Sequence, residues 1–312
     1  MQSRVKLRSF PRLLCKPPRR DSMCTDKTEA DLDRAGMPVG RRSFAALAGV
    51  GALIAALPAR AIAGKPVKGR DVTIKTADGV CDAYFVAPAQ GRHPAVLVWP
   101  DIRGLRPAFR QMADRLAGEG YAVLTINPFY RWQKSPVVDA ANDWGNPEVR
   151  EKLMGYRKQL TRATGETDAA ALLAFLDAQK EVDTRLRIGT TGYCMGGEMT
   201  IYTAALRPDR VGAAASFHGG GVGTDKPDSP HLLIPGTSAG YLFAIADNDD
   251  KETPNEKVLL KAVLEPRKQW HEVEVYEGAM HGWCPPDGRA YNEAAAEKAW
   301  ARMLELFKAE LA

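Results

Sequence analysis

The chain has 312 residues, of which 45% are hydrophobic and 26% charged, and its formal net charge is +5. That composition excludes a disordered chain, a collagen-like repeat and a multi-span membrane protein. The positive balance does not point to nucleic acid, because residues 1–63 hold 12 Lys and Arg against 5 Asp and Glu, leaving the remainder slightly acidic.

In chain order, the first feature is Gly40-Arg41-Arg42-Ser43-Phe44, which opens an uncharged run over 45–57, then Pro58 and Ala61-Ile62-Ala63. Paired arginines, a moderate apolar stretch and a small-x-small cleavage site predict a twin-arginine export signal. Residues 1–63 are therefore read as leader and signal, and 64–312 as one domain delivered to a periplasm or secreted. The run is short for a bilayer, so no stable span is expected after cleavage, an uncleaved anchor being the other reading. Met37, three residues before the arginine pair, is an alternative start.

Beyond the leader, strand patterns fall at 72–75, 82–86, 95–99, 122–126, 186–191, 212–217, 241–246 and 272–276. Helical patterns fall at 107–119, 165–179, 196–206, 255–264 and 292–311. Apolar strands alternating with helices predict an α/β fold, a mostly parallel sheet covered on both faces. Such sheets bind ligands beyond the carboxyl ends of their strands, so chemistry is sought just after each strand. The connection over 128–159, with Trp132, Trp144 and Tyr156, reads either as a lid-like insertion or as ordinary packing.

Three cysteines follow the leader: Cys81, Cys194 and Cys284. No CxxC or Cys/His cluster suggests a metal. In an oxidising compartment a Cys81–Cys284 disulfide with Cys194 free is the expectation.

The fifth strand pattern runs straight into Gly192-Tyr193-Cys194-Met195-Gly196-Gly197 and then a helix. This is the strand–turn–helix elbow G-x-S-x-G with cysteine in place of serine. The glycines let two backbones approach closely, and the turn puts Cys194 at a helix N-terminus, which favours the thiolate. The N–H of Met195 points toward where an oxyanion forms. A small buried hydrophobe is the alternative role for Cys194. Downstream, one strand pattern ends in Asp247-Asn248-Asp249-Asp250 and the last in His281-Gly282. Nucleophile, acid and histidine in that order are the order of an α/β-hydrolase triad. Asp249 is chosen as the acid, with Asp250 next and Asp247 as a loop-turning carboxylate. His93, His231 and His271 sit at the wrong ends of their segments, and His218 follows a strand and is a candidate pocket wall.

With these residues in hand, the sequence resembles the dienelactone hydrolase family, the cysteine branch of the α/β-hydrolases, over most of 70–312. The resemblance is carried by Asp82-Ala83-Tyr84, Trp99-Pro100-Asp101-Ile102-Arg103-Gly104, Gly192-Tyr193-Cys194-Met195-Gly196-Gly197 and His281-Gly282. It implies an α/β-hydrolase fold with a mostly parallel eight-stranded sheet flanked by helices on both faces. It further implies a Cys194, Asp249 and His281 triad, oxyanion-hole amides at Ile102 and Met195, and hydrolysis of a carboxylate-bearing unsaturated lactone or related ester through a thioester. No cofactor and no metal are implied. The expected partner is a small lactone or ester and no nucleic acid, with the chain a monomer or small homo-oligomer.

The chain departs from the family pattern in places. Asp101 stands where the family has a glutamate, and Pro285 where founding members carry a substrate-gripping arginine. Arg131 in Phe129-Tyr130-Arg131-Trp132 is displaced by one position from a second such arginine. Asp101, Arg103, Tyr130 and Arg131 are the substrate-binding candidates, and Arg106 is read as a solvated surface arginine. Two other functions fit an elbow of this kind: an exported non-catalytic binding protein, and a thiol redox protein using Cys194.

Overall fold

The computed structural model describes residues 64–139 and 144–311, so the leader and its arginine motif lie outside the described residues. Eight strands form one sheet: β1 (Val67–Thr76), β2 (Gly79–Pro88), β3 (Ala95–Trp99), β4 (Ala122–Ile126), β5 (Ile188–Tyr193), β6 (Val211–Phe217), β7 (Gly240–Ala246) and β8 (His271–Tyr276). Their order across the sheet is β1-β2-β4-β3-β5-β6-β7-β8. The β1–β2 and β2–β4 pairs are antiparallel and the other pairs are parallel.

Strands β3 to β7 are buried along their whole lengths, which is why they read as continuous apolar runs. Alternate residues feed two separate cores. Leu97 and Trp99 of β3 join Tyr241 and Phe243 of β7 on one face. Val96 and Val98 join Leu242 and Ala244 on the other. Helices α2 (Pro147–Gln159), α3 (Arg162–Asp177), α4 (Gly196–Leu206) and α6 (Glu256–Leu264) contribute to the first core. Helices α1 (Pro107–Gly118) and α7 (Glu293–Glu310) cover the second. In α7 the stripe Ala299, Trp300, Met303, Leu306 and Phe307 recurs at helical spacing and is buried, while Asn292 caps the first turn through Ala295 N–H at 3.1 Å.

Two α-helices fall where none was expected. The 128–159 connection contains α2, a marginally amphipathic helix that buries only Val149 and Leu153. It is set by Asn146, whose Oδ1 accepts from Glu148 N–H at 2.9 Å, and by Pro147 in the first turn. The Asp247–Asp250 segment is the start of a one-and-a-half-turn helix, α5 (Asp247–Glu252), rather than a loop. The aromatics of the long connection serve packing: Trp132 stacks on Tyr156 with centroids 5.2 Å apart, and both lean on the first core. The β1–β2 hairpin is longer than its apolar pattern because β1 is an exposed edge strand with few buried positions.

The expected Cys81–Cys284 disulfide is not formed. The two thiols are free and lie in different cores on opposite faces of the sheet. Burial pushes both thiols up from the ordinary range, and the carboxylates of Asp168 and Asp82 add to this at Cys81.

Candidate active site

Between β3 and β5 the connections reverse direction, since β3 leads through α1 to β4 on one side while β5 continues to β6 on the other. Such a switch point leaves a crevice at the carboxyl ends of the strands. Cys194 ends β5 on one side of it, and the Pro100–Ile102 segment leaves β3 on the other.

The elbow is tight for a steric reason. A Cβ on Gly192 would fall 2.0 Å from the carbonyl oxygen of Gly196, and one on Gly196 would fall 2.3 Å from that of Trp99. The turn holds Cys194 at φ 55°, a left-handed conformation costly to any residue with a Cβ. Its N–H donates to Phe217 O at 3.0 Å, and its carbonyl accepts from Gly197 N–H at 3.0 Å, opening α4. Cys194 is only 5% exposed.

His281 comes from the loop after β8. Its backbone N–H donates to Asn248 Oδ1 at 2.8 Å, and its Nδ1 lies 2.7 Å from Asp249 Oδ2. The acceptor carboxylate fixes the Nδ1–H tautomer, and the imidazole also hydrogen-bonds the Cys194 side chain. Burial pushes this imidazole down. The charges of Asp249 and Cys194 and their hydrogen bonds outweigh that and hold it well above the ordinary histidine value. The neighbouring aspartates face elsewhere: Asp247 pairs with Lys251 at 2.8 Å and Asp250 with Lys257 at 2.6 Å. Cys194, Asp249 and His281, far apart in sequence, are thus in one hydrogen-bonded row.

Ile102 and Met195 are both buried beside the crevice. Met195 lines a small pocket with Trp99, Pro100, Asp168 and Met199. A larger cavity, of about 200 Å³, lies on the opposite face between α1 and α7, and none of the expected site residues lines it. Among the described residues no three His, Cys, Asp or Glu side chains converge as a metal-ligand set, and no helix is long and apolar enough to cross a membrane.

The remaining candidates are drawn into ion pairs. Asp101 accepts from Arg103 N–H at 2.9 Å and from both terminal nitrogens of Arg106 at 2.7 and 3.0 Å. Arg106 is not a solvated surface residue as expected. It is 3% exposed, clamped between Asp101 and Asp287, with its guanidinium carbon 4.9 Å from the Phe109 ring centroid. Arg103 pairs with Asp287 at 3.2 Å. Tyr130 donates to Asp168 at 2.6 Å, and Arg131 grips Asp168 through two bonds of 2.8 Å and Asp78 through bonds of 3.1 and 2.6 Å.

Three residues near the row were not singled out as its members. Asn248 anchors the His281 backbone; an amide flanked by aspartates after a strand is the only sequence signal for it. Glu256 is buried and accepts from Val222 N–H at 2.9 Å and Gly223 N–H at 3.3 Å, holding the segment after β6. Burial above all pushes its carboxyl up to about 7. His218 is fully buried at φ 39°, and neither ring nitrogen has a hydrogen-bond partner. Its ring lies edge-to-face with His281 at 5.1 Å, and burial together with the His281 charge holds it well below the ordinary value.

Residues 81–311 match the Dienelactone hydrolase family. A "Putative carboxymethylenebutenolidase" of Synechocystis sp. is 28% identical over 249 residues, covering 78% of this chain and 98% of that protein. The carboxymethylenebutenolidase of Rhodococcus opacus is 27% identical over 221 residues, covering 70% of this chain and 82% of that one. In fold, the chain is similar to the crystal structure of a "Putative Dienelactone Hydrolase" from Klebsiella pneumoniae, with a TM-score of 0.66, 23% identity, and coverage of 78% of this chain and 99% of the other.

Proposed function

The chain belongs to the dienelactone hydrolase family, a family of hydrolases, and on that premise we propose that it cleaves a carboxylic ester or lactone with Cys194 as nucleophile, His281 as base and Asp249 as the orienting acid. The observation that carries this reading is the hydrogen-bonded row of Cys194, His281 and Asp249 at the ends of three different strands. In this reading the Cys194 sulfur attacks the carbonyl carbon, and the amides of Ile102 and Met195 hold the developing oxyanion. His281, holding the proton it took from the Cys194 thiol, delivers it to the departing alkoxide, leaving a thioester on Cys194. It then takes a proton from the water that attacks that thioester and returns it to the departing Cys194 sulfur, which frees the acid and restores the thiol. Asp249 keeps Nε2 directed at the sulfur and stabilises the imidazolium.

Residues 1–63 are proposed to be an export leader, with 64–312 the working enzyme outside the cytoplasm. Fractionation of the native host tests this: full-length protein retained in the cytosol overturns it. The hydrolase mechanism is tested with a nitrophenyl butyrate assay, in which Cys194→Ala loses nearly all turnover and His281→Ala most of it. Wild-type turnover in Cys194→Ala overturns the assignment.

A further inference from the structure

The cavity between α1 and α7 lies on the sheet face away from the Met195 pocket, and the mechanism leaves it unused. It holds about 200 Å³, and its walls are mostly apolar: the rings of Tyr193, Phe217, Tyr291 and Trp300, with Met112 and Ala296. Protein interiors pack with few voids larger than a water, and a dry apolar cavity of about 150 Å³ is enough to hold a benzene ring. This one has room for a single ring with a short substituent.

The polar groups of the walls narrow the chemistry. Arg115 of α1 and Glu297 of α7 both line the cavity and are partly exposed, so it reaches solvent at this pair. Arg115 gives both terminal nitrogens to the Glu297 carboxylate at 2.6 and 2.7 Å, and its guanidinium carbon lies 4.2 Å from the Trp300 ring centroid. The two charges cancel. Burial holds the Cys284 thiol and the Tyr193 and Tyr291 hydroxyls protonated, so the walls carry no net charge. The fork leaves over the buried Arg115 Nε–H, and Trp300, 8% exposed, adds its Nε1–H; among the described residues neither donor has an acceptor. An unpaired buried donor is costly, so a ligand that brings an acceptor is rewarded.

The cavity also backs onto the elbow. Tyr193 immediately precedes Cys194 and stacks on Phe217 at 5.0 Å, and Phe217 O accepts the Cys194 N–H. Cys284 follows His281 on the same loop. Cys194, Asp249 and His281 themselves do not line it.

We propose that this cavity binds a small neutral aromatic molecule carrying one hydrogen-bond-accepting oxygen, packed against the back of the elbow and separate from the substrate crevice. The inference does not rest on the hydrolase reading. The probe is anisole, with ethylbenzene as the same shape lacking the oxygen, each titrated into the full chain by calorimetry. Anisole is expected to bind with a Kd of about 1 mM or tighter. At ten times that Kd it should raise the melting temperature by about 3 °C. Ethylbenzene is expected to bind about fivefold more weakly, the scale of one hydrogen bond. Met112→Trp and Ala296→Phe fill the cavity from its two helices at partly buried positions, and each should abolish anisole binding. Anisole should not protect Cys194 from alkylation by iodoacetamide. Absence of anisole binding overturns the proposal, as does binding that the filled variants retain or that shields Cys194, since the ligand then sits elsewhere. Ethylbenzene binding as tightly as anisole overturns the requirement for an accepting oxygen.

Discussion

The elbow and the ion-paired arginines obey opposite rules. Each guanidinium of Arg103, Arg106 and Arg131 meets a carboxylate, and the chain there is held by opposed charges. At the elbow, Cys194 and His218 are both forced to positive φ, His218 has two unpartnered ring nitrogens, and His281 is held far from its ordinary protonation equilibrium. Each such backbone departure costs about 1 kcal/mol or more and persists only if its surroundings impose it. The difference separates groups kept reactive from groups spent on holding the crevice in shape. Residue type alone does not make that separation, since arginines beside a cleft and a cysteine after a strand are both ambiguous.

The first way to break this contrast is at the sulfur. Cys194→Ala is expected to lower kcat on an activated ester by about 10⁴-fold or more. Its melting temperature should stay close to wild type, and a large loss of stability would mean that Cys194 is a packing residue instead. Next, Asp249→Asn should lower kcat by about 10³-fold by releasing the His281 tautomer. Because Asp249 helps raise the His281 value, the stability it adds is fully present below the unfolded value near 6.5 and is lost as pH rises through the folded one. The gap in melting temperature between wild type and Asp249→Asn should therefore be wider at pH 6 than in alkaline buffer.

The ion-paired arginines should respond in the reverse manner. Arg106→Ala takes from buried Asp101 its guanidinium partner, while Asp287 keeps Arg103, and is expected to cost about 3 kcal/mol in denaturant unfolding. The kcat of the fraction that remains folded should change far less than in Asp249→Asn. A loss of kcat without loss of stability would place Arg106 among the reacting groups. Glu256 gives a smaller and pH-dependent effect. Its carboxyl is raised to about 7, so the stability it lends is complete below about pH 4.5 and lost as pH rises through 7. Glu256→Gln should flatten the fall in melting temperature between pH 5 and 8, by about 2 kcal/mol in stability. An unchanged slope would show that Glu256 does not titrate in that range.

Much of this was legible in the sequence where local pattern and tertiary burial agree. Strands β3 and β4 and helix α4 have the expected bounds, because five-residue apolar runs and a glycine-bounded helix start leave little ambiguity. Chain order placed Cys194, Asp249 and His281 in register with three strand ends. What sequence could not supply was pairing across the chain. Nothing near Arg106 announces that Asp287, far downstream, closes over it. The exposed edge of β1 and the thinly buried α2 lack the apolar periodicity that would betray them. The separation of Cys81 from Cys284 depends on which face of the sheet Cys81 of β2 takes and which face the loop after β8 covers, and that is fixed only when all eight strands are in order.

The central claim is that an acyl group passes through Cys194. Rapid quenching of the protein with a slowly hydrolysed nitrophenyl ester, followed by peptide mass spectrometry, tests it directly. The expected result is one acyl group, located on the peptide containing Cys194 and absent from Cys194→Ala. Acylation of another residue, or full turnover with no adduct at Cys194 at any quench time, would contradict it.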